Sequence, residues 1–118
     1  MAGLRARLYA LTAALLAACA SPQQRAGDAE IAAVMPLKRQ YAGLLAGFDV
    51  RPPDTLIVSL DLQQYIETDD ATIAAMKRDT LERWRAAWLG AHPHEHALLH
   101  VRFIDFIGRK VAQESVRV

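Results

Sequence analysis

The chain has 118 residues, with 14 lysines and arginines against 13 aspartates and glutamates, a formal net charge of +1 and 53% hydrophobic residues. That length fits a single domain, and the near-neutral balance excludes the basic footprint of a nucleic-acid binder. Its one cysteine, Cys19, excludes an internal disulfide.

Met1 to Arg7 carries two positive charges, Arg5 and Arg7, and no acid. The following run, LYALTAALLAA from Leu8 to Ala18, is apolar apart from Thr12. It is too short to span a bilayer as a helix, which takes about 20 residues, and fits a signal-peptide core instead. The run closes on Leu16-Ala17-Ala18-Cys19, which resembles the lipobox of bacterial lipoproteins.

The resemblance covers the leader alone. It implies that residues 1–18 are cleaved, that Cys19 is acylated as the mature N-terminus, and that the protein is anchored to a membrane without spanning it. One acyl chain binds only marginally, at about 0.8 kcal/mol per buried CH₂, whereas the several chains of a lipoprotein make a stable anchor. Ala20, where an Asp favours inner-membrane retention, implies an outer-membrane address facing the periplasm. The alternative is an ordinary signal-peptidase site with Cys19 a bystander. Removing Arg5 and Arg7 leaves 12 basic residues against 13 acidic, a mature net charge of −1.

Residues 19–30 are short of apolar bulk and read as the lipidated cysteine followed by a flexible tether, able to reach about 35 Å when extended. Residues 31–118 remain as the folded domain. From Ile31 to Phe48, the side chains Val34, Leu37, Tyr41, Leu44, Leu45 and Phe48 share one arc at helical spacing. That predicts an amphipathic helix, with Pro36 either opening it or kinking it, and Asp49 to Asp54 ending it. Residues 55–62, TLIVSLDL, alternate as a half-buried strand. Thr68-Asp69-Asp70 supplies caps for a helix over 71–91, with Ile73, Met76, Leu81, Trp84 and Trp88 on one face. Lys77 lies within that arc and is expected to snorkel, with a functional buried lysine as the alternative.

Residues 97–104 alternate again, and Asp105-Phe106-Ile107-Gly108 suits a hairpin turn before a returning edge strand over 109–118. The order α-β-α-β-β predicts an α+β two-layer sandwich, a small mixed sheet with two helices on one face. A helix followed by a hairpin with a polar-Gly turn is similar to the C-terminal domains of TonB and TolA, which bind other envelope proteins. The likeness lies in length and turn chemistry and includes no diagnostic motif.

All four histidines fall within HPHEHALLH, residues 92–100. In extended chain His94 and His96 lie about 6.6 Å apart on one side and can share a zinc or copper ion, with His92 as a third ligand through a turn. His100 is too far along the strand to join them. The competing reading gives His92 to the helix end, His94 and His96 to a solvated loop, and His100 to the strand's polar face. A protonation switch stays open, though no bistable element is visible.

Trp84 and Trp88, one turn apart, are expected to pack against the sheet, or to anchor a partner if their face is left uncovered. Ser59 and Ser115 lack a nucleophile motif, and Asp61 with Glu67 is a weak acid/base pair beside its simpler reading as solubilising caps. The first expectation is therefore a non-catalytic, lipid-anchored interaction or structural module with an envelope protein partner. The second is a metal-binding envelope lipoprotein using His92, His94 and His96.

Overall fold

A computed structural model describes residues 21–118; the leader, Cys19 and Ala20 lie outside the described residues. The elements are helices α1 (Pro22–Val34) and α2 (Leu37–Gln40), strands β1 (Leu45–Arg51) and β2 (Thr55–Leu60), helices α3 (Leu62–Glu67) and α4 (Asp70–Ala91), and strands β3 (Leu98–Ile104) and β4 (Lys110–Arg117).

The strands form one mixed sheet in the order β1-β2-β3-β4. β1 and β2 pair antiparallel, β2 and β3 parallel, and β3 and β4 antiparallel. The parallel pair needs a long crossover, which α3 and α4 supply. α1 packs on α4 and β1, and α4 also reaches β4. The expected α+β class holds, with the main helices layered on a small mixed sheet.

Alternation decides which face is covered. Leu56, Val58 and Leu60 of β2 and Leu99, Val101 and Phe103 of β3 are completely buried, while their neighbours Thr55, Ile57, Ser59, His100 and Arg102 face the other side. Phe48 and Val50 of β1 stand beside Val58 and Leu56, and Ala112 and Val116 of β4 beside Phe103 and Leu99, so one face is apolar across the four strands except at Glu114, opposite Val101. From above, α4 lowers Ile73, Met76, Thr80, Trp84 and Trp88 onto it.

Two expectations are corrected in the first third of the domain. The helix predicted over 31–48 ends at Val34, and Leu45–Arg51 is a strand. Pro36 has no N–H to donate, and its ring clashes with the carbonyl four residues back, so the helix stops and restarts as the short α2. Gly43 then takes φ +83°, a left-handed conformation that ends helical winding. Beyond it Phe48 and Val50 alternate with Asp49 and Arg51, the period of a strand.

Residues 22–30, expected as tether, belong to α1. Ser21 caps that helix in a reciprocal box with Gln24, each side chain accepting the other's backbone N–H at 3.1 Å, and Pro22 occupies its first turn. Downstream, Leu62 opens α3 instead of ending β2. At the next helix start, Asp69 accepts from the Thr72 N–H at 3.0 Å. α2 is fastened to α4 by the Tyr41 hydroxyl, which donates to the Asp79 carboxylate. Burial, this bond and the Asp79 charge hold the Tyr41 pKa above its ordinary value, against the opposing charge of Arg78.

Candidate functional site

The histidine segment divides. His92 caps α4: its backbone N–H donates to the Trp88 carbonyl at 2.9 Å, and its Nδ1–H donates to the same oxygen at 2.8 Å. The ring stacks on Trp88 with centroids 4.3 Å apart, and its Nε2 stands 3.8 Å from Glu95. His94 is exposed, and the His96 Nδ1–H reaches the Val118 carbonyl at 3.3 Å. His100 pairs with the Ser115 hydroxyl at 2.8 Å on the open face of the sheet. Among the described residues no three His, Cys, Asp or Glu side chains are grouped to hold a metal ion.

The tryptophans are core. Trp84 is completely buried and Trp88 is 4% exposed, so neither offers aromatic surface to a partner. Both indole N–H groups are satisfied, Trp84 by Glu30 Oε1 at 2.7 Å and Trp88 by the Pro53 carbonyl at 3.0 Å. α1 and the β1–β2 hairpin provide those partners, and with them the cover that the helix face needs. Asp61 caps α3 through the Gln64 N–H, and Glu67 accepts from Gln63 at the other end of that helix, so the two acids do not converge. Lys77 places its ammonium 5.6 Å from the centroid of the Tyr65 ring, a cation–π contact at the surface.

Exposed apolar surface lies elsewhere. Ile107, Ile66 and Phe106 are 75%, 73% and 67% exposed, more than any other large hydrophobic residue among those described. Phe106 and Ile107 form the tip of the β3–β4 hairpin, and Ile66 is on α3, which leaves the same end of the sheet after β2. Isolated exposed apolar residues are ordinary; three from segments at one end of a small domain are a candidate contact surface.

The tip is held in place by Asp105, which is 5% exposed. Its Oδ1 accepts the N–H groups of Ile107 at 3.1 Å and Arg109 at 2.9 Å, while Oδ2 meets the Arg109 Nε at 2.8 Å. The Gly108 N–H closes onto the Asp105 carbonyl at 3.1 Å, with Gly108 at φ +86°. One buried carboxylate thus fixes the turn on which the two apolar side chains stand, lowering the ordering entropy that a partner would otherwise have to overcome. Asp105 and Gly108 predict this turn but not the role of Phe106 and Ile107. Two large apolar residues at the centre of a hairpin turn, where polar residues are usual, were the signal.

Burial alone would raise the Asp105 pKa. The hydrogen bonds from Arg109 and Ile107, together with the Arg109 charge, outweigh it and hold the carboxyl below its ordinary 3.8. With the folded pKa below the unfolded one, this stabilisation is complete above the unfolded value and is lost as pH falls through the folded value. Protection of the Ile107 and Arg109 amides from hydrogen exchange is therefore expected to fall at acid pH, below about pH 3.8, before that of the Val58 and Val101 amides. Parallel loss at all four amides would show that Asp105 does not hold the tip.

Comparison with known protein families, curated proteins and solved structures gives no match to this chain. The site has to be read from its own chemistry.

Proposed function

We propose that this protein is a lipid-anchored interaction module of the bacterial envelope, held by Cys19 in the outer membrane, facing the periplasm, and engaging a protein partner without catalysing a reaction. The observation that carries this reading is the fixed tip with Phe106 and Ile107 bare to solvent. α1 starts at Pro22, beside the Pro52–Pro53 hairpin, whereas the tip lies beyond the opposite ends of β2 and β3. Five paired residues separate the two ends, roughly 17 Å of strand.

With Cys19 as anchor, only Ala20 and Ser21 stand between it and α1, so Cys19 and Pro22 are at most about 10 Å apart and the domain sits close against the bilayer surface. The tip then points away from that membrane, towards other envelope components. No helix among the described residues is long and apolar enough to cross a membrane, which leaves attachment to the N-terminal segment in this reading.

Replacing Phe106 and Ile107 together with Ser tests it. Both side chains are mostly solvated, so stability is expected to change by no more than about 0.5 kcal/mol. Crosslinking in intact cells is expected to lose the protein adduct that the parent chain forms. An unchanged adduct from a folded double variant would refute the tip as the contact surface.

A further inference from the structure

At the end of the sheet nearer Pro22, a cleft of about 310 Å³ opens between α1, the β1–β2 hairpin and the last turn of α4. Its walls are mainly apolar, with Ala26, Val50, Pro53, Trp84 and Ala91 among them and His92 at the rim. Glu30 lines it too and is 3% exposed, a charged side chain almost wholly withdrawn from water. Glu30 Oε1 accepts the Trp84 indole N–H at 2.7 Å, while Oε2 has no hydrogen-bond partner among the described residues. No completely buried side-chain oxygen of the described residues lacks a partner, and Glu30 is one of the residues that line the cleft.

A buried carboxylate is costly unless it is paired and hydrogen-bonded, and one neutral indole N–H answers only half of this one. Among the described residues no lysine or arginine lines the cleft. We infer that the cleft is a binding site for a primary ammonium group carried on a short apolar body, with the ammonium donating to Glu30 Oε2 and the body lying along Val50, Pro53 and Ala91. The cleft volume is at the small end for a ligand site, which suits a compact amine. This site is independent of the tip, and its failure would leave the proposed function standing.

Hexylammonium is the probe and hexanol its neutral counterpart, titrated into the full chain in non-ionic detergent while the two indole N–H resonances are followed. A hydrogen bond to a charged acceptor that is otherwise unmet predicts that hexylammonium binds roughly tenfold or more tightly than hexanol and shifts the Trp84 resonance saturably. Glu30→Gln retains an oxygen for the Trp84 N–H but removes the charge, and is expected to abolish the preference while its indole spectrum reports an intact fold. Hexylammonium binding no tighter than hexanol, or equally tight in Glu30→Gln, would overturn the site.

Discussion

Trp84→Ala is expected to leave the domain largely unfolded at growth temperature. The indole is completely buried among the side chains of α1, α4 and the sheet, and truncating such a residue costs about 3–5 kcal/mol. The same change strands Glu30, whose one hydrogen bond among the described residues comes from Trp84, and an orphaned buried acceptor adds about 1–3 kcal/mol. Domains of this size have a total stability of about 5–15 kcal/mol, so the combined loss takes most of it.

Trp84→Phe separates the terms. It keeps an aromatic ring in the core while removing the N–H with the rest of the pyrrole ring, so it is expected to cost less than Trp84→Ala, and Glu30→Leu in the same chain is expected to recover the part of the loss due to the missing hydrogen bond. Thermal unfolding followed by circular dichroism reads both. A melting temperature for Trp84→Ala lower by about 15 °C or more agrees with the account, and a shift of only a few degrees contradicts it.

Cys19→Ala has the largest expected effect on location. Under the lipobox reading it removes the acylated sulfur, so incorporation of labelled fatty acid is expected to disappear and the chain to vanish from the outer-membrane fraction. No thiol remains to be acylated, since Cys19 is the only cysteine. Because only Ala20 and Ser21 separate Cys19 from α1, lengthening that link with a flexible insert provides a companion test. The insert should leave lipid incorporation unchanged while raising the tip further from the bilayer. Undiminished fatty-acid label in Cys19→Ala would show that the N-terminus has been misread.

Sequence reasoning succeeded where one period dominated. Residues 71–91 have an Asp cap and a long 3.6-residue stripe ending in Trp88, and residues 55–62 and 97–104 put Leu56, Val58 and Leu60 and then Leu99, Val101 and Phe103 at every second position, so α4, β2 and β3 were legible, β2 ending at Leu60. The β3–β4 turn followed from Asp105 and Gly108. The first third is deceptive because Val34, Leu37, Tyr41, Leu44 and Phe48 fit a helical arc by coincidence, while Pro36 and Gly43 interrupt the backbone that would carry it. Phe48-Asp49-Val50-Arg51 is too short an alternation to overrule that arc by itself.

α1 went unseen for a related reason. Its Ser21-Pro22-Gln23-Gln24 start is a helix signal, but few of the following residues are apolar, so the segment resembled a tether. Its stability comes from packing on α4, with Glu30 and Val34 buried there, which local composition does not report. The histidine segment follows the reading that gives each residue its own place. Proximity in sequence suggested one device, yet His92 is engaged by Trp88, His96 by Val118 and His100 by Ser115.

The proposed working surface is the hairpin tip, and site-specific photocrosslinking in intact cells tests that proposal most directly. A photoreactive residue at 106 or 107 is expected to yield a discrete adduct with one envelope protein, while the same residue at the exposed positions 49 and 113 on the open sheet face yields none. Adducts from 49 and 113 without one from the tip, or no protein adduct from any of the four, would contradict it.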